Sequence, residues 1–297
     1  MGSVVGAKYE VVAPLGEGGM GFVVRARHLT LLEPVAIKFL KPASGEGTEA
    51  IERFVREARA AAKLKNEHVI RVHDVGVHDG MPYIVMELVD GQGLGDLVEA
   101  QGPLAPELAV DLVLQACDAM ADAHAHGIVH RDLKSNNLML TRRGDGTPFV
   151  KVLDFGLATA PTEEPGGRRA AGITSTHTTF GSPAYMPPEQ IRAAKNADAR
   201  SDLWALGVIL YELVTGRLPF EAESVPGILA AIAADPPQPI ADLRPEAAML
   251  WPVIERCLRK DPAERFASVS ELAAALAPFA SAEGGFFAAR AQRPRGS

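Results

Sequence analysis

The run Leu15-Gly16-Glu17-Gly18-Gly19-Met20-Gly21-Phe22-Val23 carries the spacing Gly-x-Gly-x-x-Gly. Without a Cβ, a backbone at such positions can come close to phosphate oxygens. A dinucleotide-binding turn would lead directly into a helix, whereas residues 22–27 alternate like a strand. The glycines therefore join two strands, as a flap over a nucleotide; taken alone they equally fit a glycine-rich hairpin that holds no ligand. Next comes Val35-Ala36-Ile37-Lys38, where a period of two places Ala36 and Lys38 on one face of a strand. Ala36 leaves room there for a flat ring, and Lys38 can reach phosphates beyond it. An ammonium among apolar residues requires a carboxylate, because burying an unpaired charge is costly. Glu57 is the candidate: it borders the inward face of a helical stretch through its spacing from Phe54 and Ala61. By itself it also fits a solvated helix carboxylate.

Further on, His130-Arg131-Asp132-Leu133-Lys134-Ser135-Asn136-Asn137 is followed, after a short hairpin, by Asp154-Phe155-Gly156. With the glycine loop and Val35-Ala36-Ile37-Lys38, these segments stand in the content and order of the protein-kinase signature set. From about residue 9 to residue 277 the chain resembles the catalytic domains of the eukaryotic-like serine/threonine protein kinases of bacteria. The resemblance implies ATP-dependent phosphorylation of serine and threonine hydroxyls on protein substrates. It gives Asp132 the proton of the incoming hydroxyl, Lys134 the migrating phosphoryl group, and Lys38 with Glu57 the ion pair behind the phosphates. Asn137 and Asp154 become oxygen ligands for Mg²⁺, with Mn²⁺ as a substitute. Leu15 to Val23 form the flap, and Val23, Ala36 and Met139 sandwich the adenine, although plain core packing describes them equally well. Met86 limits the depth of the pocket, and backbone groups of Glu87 and Val89 bind the adenine edge. Lys134 and Gly181-Ser182 resemble the serine/threonine branch.

Arg131 resembles the arginine that pairs with a phosphorylated loop residue in many kinases. Autophosphorylation at Thr174, Thr176 or Thr178, received by Arg53 and Arg131, is the expected activating event; a solvated threonine-rich loop is the alternative. Met186-Pro187-Pro188-Glu189 implies a structural pair between Glu189 and Arg265, and Asp202 should hold the backbone around His130 and Arg131. His124 and His126 read as structural, since residues two apart on a helix point to different faces. Pro187, Ser135 and Ser182 replace the family's alanine, proline and threonine, and Thr159 sits where a basic residue is often found. None of these removes a catalytic group. Two rival readings are a pseudokinase that binds ATP as an interaction module, and a kinase of small molecules.

The elements that must position these residues follow from periodicity. Short alternating or apolar runs at 10–14, 22–27, 35–40, 69–77 and 82–86 read as strands of one sheet, interrupted by one helix at 51–64. Helical patterns follow at 106–126, 201–215, 225–234, 247–258 and 269–277, with a strand pair between 137 and 153 and a long loop over 159–179. The expected fold is α+β and bilobal, protein-kinase-like. A small antiparallel β lobe with one helix spans about 9–89, and a larger, mainly helical lobe spans about 90–280. Residues 281–297, with Gly284-Gly285 and scattered arginines, read as a flexible tail or linker.

At 297 residues the chain exceeds a single hydrophobic core, in keeping with two lobes around a cleft. Its 47% hydrophobic and 23% charged residues are those of a globular protein. A formal charge of −7 offers no general attraction to nucleic acid. Cys117 and Cys257 each sit in an apolar helical pattern and read as core thiols of a cytoplasmic protein. Neither a signal peptide nor a membrane-spanning stretch is expected. A homodimer through the small lobe stays open.

Overall fold

Alternating apolar residues make the first part of the chain a sheet. The computed structural model describes residues 2–18, 21–41, 48–155, 182–193 and 197–293, with backbone alone at 48–53, 57 and 182. Six strands, β1 (Val4–Val5), β2 (Tyr9–Gly18), β3 (Gly21–His28), β4 (Pro34–Leu40), β5 (Val72–His78) and β6 (Met81–Glu87), form an antiparallel sheet in the order β1-β2-β3-β4-β6-β5. Helix α1 (Thr48–Ala61) interrupts them and buries Phe54 and Ala58 against Leu40 and Ile84. The other face of the sheet buries Val24, Ala26, Val35, Ile37, Phe39 and Val85. In the pairing of β3 with β4, Val23 stands opposite Lys38, which puts the flap and the lysine on neighbouring strands.

The rest of the chain is mainly helical: β7 (Gln92–Gly93), α2 (Leu94–Gln101), α3 (Pro106–Ala125), β8 (Leu138–Arg142), β9 (Pro148–Val152), α4 (Pro188–Arg192), α5 (Ala199–Thr215), α6 (Val225–Ala234), α7 (Trp251–Cys257), α8 (Val269–Leu276) and α9 (Ala282–Ala291). This is the expected α+β, two-lobed arrangement. Helices α3 and α5 are apolar nearly all round and form the centre of the second core. Asp198 and Ser201 close a capping box at the start of α5, and Gly216, at φ +72°, ends it in the left-handed conformation. Strands β7, β8 and β9 make a small three-stranded sheet beneath the cleft. The helix expected over 247–258 divides: a 3-10 segment, Pro245–Leu250, precedes α7, because Pro252 has no N–H to continue a helix from upstream.

The tail expectation is corrected by α9. Ser281 caps it by accepting from the Gly284 amide, and donates its own hydroxyl to Asp111 on α3 at 2.5 Å. Phe287, Ala288 and Ala291 are buried beneath it. A Cβ on Gly284 would lie 1.8 Å from the Asp111 carboxylate, so close helix packing, not flexibility, demands that glycine. Arg290 pairs with Glu67, and with buried Asp118 at 2.9 Å. Helix α9 thereby fastens the segment between α1 and β5 to α3.

The same contact makes the fold acid-sensitive. His68 is fully buried between Phe149 and Phe287, with ring centroids 4.6 and 4.9 Å away, and its Nδ1 donates to the Val150 carbonyl at 2.8 Å. Burial pushes its pKa down to about 4. Between there and the ordinary value near 6.5 the unfolded chain binds a proton that the folded chain does not. The His68 contribution is therefore complete above about pH 6.5 and is lost as pH falls towards 4, by up to about 3 kcal/mol. Urea unfolding at pH 4.5 and pH 7 should show this loss in the parent and a flatter dependence in His68→Gln; equal slopes would contradict it.

Candidate active site

The loop after α3 is shaped by one buried carboxylate. Asp202, in the first turn of α5, accepts from the amides of His130 at 2.9 Å and Arg131 at 3.0 Å, and from His124 Nε2 at 2.8 Å. Those bonds hold Arg131 at φ +66°, a conformation that costs a non-glycine residue of order 1–3 kcal/mol. Asp132 follows directly, half-buried at the cleft. The Asn137 Nδ2 donates to the Asp132 carbonyl at 2.7 Å, and the Leu153 amide donates to the Asn137 carbonyl at 2.8 Å. The end of β9 is thus bound to the loop, and Asp154 emerges beside it at φ +58°. His130 Nε2 donates to the Leu153 carbonyl at 2.7 Å, and the buried Phe155 ring packs against His130 at 5.0 Å.

Charges then meet across the two lobes. Lys38 on β4 places Nζ 2.8 Å from Asp154 Oδ1. Lys134 Nζ lies 3.3 Å from Asp132 Oδ2. Lys38, Asp132, Lys134, Asn137 and Asp154 therefore share one cleft. The partner of Lys38 seen here is Asp154; Glu57, the expected one, lies on α1 with its side chain outside the described residues. Asn137 commits Nδ2 to the loop, so Oδ1 is the amide atom it can offer a cation. With Asp154 that makes two hard oxygen donors. The pair fits Mg²⁺, which keeps several waters and takes one or two protein oxygens beside substrate phosphates.

An apolar pocket adjoins the charges. Ala36, Ile70 and Met86 are buried together, with Val23, Leu88, Val89 and Leu153 packed around them; Met139 on β8 is half-buried, and Leu15 is exposed. Glu87 does more than end β6. Its carboxylate accepts from the Arg71 amide and from Lys151 Nζ, both at 2.7 Å, tying the connection between the lobes to β9. Sequence reasoning missed that use of its side chain.

The glycines of the flap differ among themselves. A Cβ on Gly21 would lie 1.8 Å from the Phe39 carbonyl, so the approach of β4 requires glycine there. Among the described residues, a Cβ on Gly16 or Gly18 would meet nothing within 4 Å, and neither has positive φ. Packing against the described residues does not explain those two. Glu17 pairs with Lys41, while Gly19 and Met20 lie outside the described residues.

On the far side of Asp132, Arg265 forms a bidentate pair with Glu189, both bonds 2.8 Å, and Ser201 Oγ donates to the same carboxylate at 3.0 Å. Arg265 is 2% exposed and sits 5.0 Å from the Trp204 ring. This pair fixes the Pro187-Pro188 corner. Between that corner and the catalytic loop runs a crevice lined by Arg131, Asp132, Leu133, Tyr185, Met186, Pro187 and Gln190. Arg131 is exposed at its rim. Gly156, Thr174, Thr176 and Thr178 lie outside the described residues, as do the side chains of Arg53 and Ser182. Tyr185 and Glu212, which bond to each other beneath the crevice at 2.6 Å, were not anticipated; the aromatic residue just ahead of Met186-Pro187-Pro188-Glu189 was the available signal.

The model of the protein kinase domain matches residues 9–276. The serine/threonine-protein kinase pkn3 of Myxococcus xanthus is 41% identical over 280 residues, covering 93% of this chain and 50% of that protein. PknB of Mycolicibacterium smegmatis is 37% identical over 277 residues, covering 91% of this chain and 42% of the relative. The chain thus spans about half the length, or less, of these curated relatives. Among solved structures, the PknI kinase domain of Mycobacterium tuberculosis superposes with a TM-score of 0.72 at 29% identity, covering 94% of this chain and 98% of that one. A fold, a cleft and a sequence that agree over nearly the whole length place the chain in the protein kinase domain family.

Proposed function

We propose that this chain transfers the γ-phosphate of ATP to serine and threonine hydroxyls of proteins. The observation that carries the reading is the convergence of Lys38, Asp132, Asn137 and Asp154 on one cleft, with Lys38 Nζ 2.8 Å from Asp154. Gly16 and Gly18 support it, since none of the described residues occupies the space their missing Cβ atoms leave. Adenine fits the apolar pocket of Ala36, Met86 and Val89, and the phosphates lie under the flap. Mg²⁺, held by Asn137 and Asp154, would supply charge neutralisation between the phosphates, and Mn²⁺ offers the same coordination.

The chain's own groups do the rest. Lys38 orients the α and β phosphates. Asp132 accepts the proton of the acceptor hydroxyl and aligns its oxygen on the γ-phosphorus. Lys134, beside Asp132, holds the migrating phosphoryl group against the charge that develops on it. Lys134 and Ser182 favour serine and threonine over tyrosine. A pseudokinase would be expected to lack at least one of these groups. Among the described residues no helix is long and apolar enough to cross a membrane. We place the activity in the cytoplasm, where ATP is supplied.

Activation is proposed to follow autophosphorylation of Thr174, Thr176 or Thr178, with Arg53 and Arg131 receiving the phosphate. After incubation with Mg²⁺ and ATP, peptide mapping by mass spectrometry should find phosphate on one or more of these threonines in the parent and none in Asp132→Asn. Phosphatase treatment should then lower the initial rate severalfold. A fully active protein with an unmodified loop would refute the regulatory reading and leave the phosphotransfer reading intact.

A further inference from the structure

Three stretches of chain meet behind the apolar pocket, and each gives it a side chain: Ile70 from the segment ahead of β5, Met86 from β6, and Leu153 from just past β9. Backbone bonds join the first stretch to the other two. The Val152 amide donates to the His68 carbonyl at 2.7 Å and the Ile70 amide to the Val152 carbonyl at 3.0 Å, while the Glu87 amide donates to the Arg71 carbonyl at 2.9 Å. Side chains close the remaining gap, between β6 and β9. Glu87 Oε1 accepts from the Arg71 amide and from Lys151 Nζ, each at 2.7 Å, so a single oxygen holds all three stretches. The Lys151 side chain is 15% exposed and that of Glu87 28%. A charge-assisted bond so far withdrawn from water is stronger than a pair on the open surface.

In the pairing of β8 with β9, Lys151 stands opposite Met139. The tether therefore links the strands beneath the cleft to the connection between the lobes. The Glu87 amide is committed to Arg71, so the carbonyl is the backbone group that Glu87 can offer a base, and the exocyclic amino group of adenine is a donor that fits it. We propose that Lys151 is a positioning residue for the nucleotide base: through the Glu87 carboxylate it fixes the connection between the lobes on β9, and so sets the Glu87 carbonyl where it receives the amino group of adenine. The inference rests on the reading that ATP lays its base in this pocket. Asp154 follows Lys151 by three residues, yet other bonds hold it: the Leu153 amide donates to the Asn137 carbonyl at 2.8 Å, and the Leu153 carbonyl accepts from His130 at 2.7 Å. The tether acts on recognition of the base and leaves the transfer step alone.

Calorimetric titration with ATP and with purine riboside triphosphate, both in Mg²⁺, tests the proposal, because the second nucleotide keeps the ribose and the phosphates and lacks the amino group. The parent should bind ATP about tenfold more tightly than the analogue, the effect of one hydrogen bond to a fixed carbonyl. In Lys151→Met, which keeps the apolar stem, the Kd for ATP should rise roughly five- to tenfold as that bond is lost. The Kd for purine riboside triphosphate should stay within about twofold, since two changes that remove one interaction do not add. At saturating ATP, kcat should stay within about threefold of the parent, as for a loss of binding shared by ground and transition states. Glu87→Gln retains an acceptor for the Arg71 amide and loses the ion pair, so it should show the same selective loss, and it carries the test should Lys151→Met fail to fold. The double variant should be no worse than the poorer single one. Equal losses for the two nucleotides would mean that the tether merely holds the cleft together, and would overturn the proposal, as would parent-like ATP affinity in both variants or fully additive losses. A parent that binds both nucleotides alike removes the reading of the base pocket and this inference with it, whereas variants that keep a parent's preference for ATP remove the role of Lys151 alone.

Discussion

Asp132→Asn should lower phosphoryl transfer to protein by about 100- to 10,000-fold, the range that general bases contribute. The substitution keeps the shape of the side chain and its hydrogen-bonding reach, and removes only the group that can take up a proton. What holds the loop in place does not depend on that group. Asn137 is bonded to the Asp132 carbonyl, and the neighbouring backbone is fixed by Asp202 through the amides of His130 and Arg131. Lys134 loses a carboxylate 3.3 Å away, but that pair is partly solvated and contributes little to folding. Unchanged thermal unfolding, an unchanged KM for ATP and a collapsed kcat is therefore the expected combination. Transfer within tenfold of the parent would remove Asp132 from its role. A fall in ATP affinity of the same size as the fall in rate would show that the variant had disturbed the cleft instead of its chemistry.

Much of this architecture was legible because local and tertiary demands agree. In β4 the alternation that buries Ile37 is the one that turns Lys38 into the cleft, so one short run of sequence specifies both strand and site. Helices α3, α5 and α6 were legible for the same reason, with apolar faces that match their buried faces. Legibility failed where a residue has two physical uses. Gly284 reads as linker, and is instead the place where Asp111 comes too close for a Cβ. Ser135 reads as a harmless departure, and its hydroxyl finds a phenol that stands 50 positions away in the chain. The carboxylate of Glu87 was overlooked because the strand pattern accounts for its backbone alone. Long-range partners of polar atoms have no period, so nothing in a local window announces them. Helix α9 adds a further reason: it lies beyond residue 276, where the match to the kinase domain ends, and its amphipathic stripe is short.

The second large effect belongs to Lys38→Met. Methionine preserves the length and apolar character of the lysine stem, so the packing of β4 should persist. The Lys38 side chain is 14% exposed, and its ammonium sits 2.8 Å from Asp154, itself half-buried at the start of the segment that follows β9. Removing it leaves Asp154 without that cation and leaves the triphosphate without the positive charge nearest its α and β groups. A loss on the order of 100- to 1,000-fold in kcat/KM is expected, the scale of one preorganised electrostatic contact at a reacting phosphate or oxyanion. Stability should change by about 1 kcal/mol or less, since the pair is only partly desolvated and Asp154 can turn to solvent. Lys38 and Asp154 act on the same phosphates through different means, one directly and one through a divalent cation. Raising Mg²⁺ should therefore not rescue Lys38→Met, whereas Asp154→Ala should lose the Mg²⁺ dependence of ATP binding in calorimetry with and without a chelator. If both groups serve one transition state, the double variant will lose less than the product of the two single losses. Independent, fully multiplicative losses would mean that the ion pair seen across the lobes is incidental to transfer, and that the cation and the ammonium stabilise separate steps.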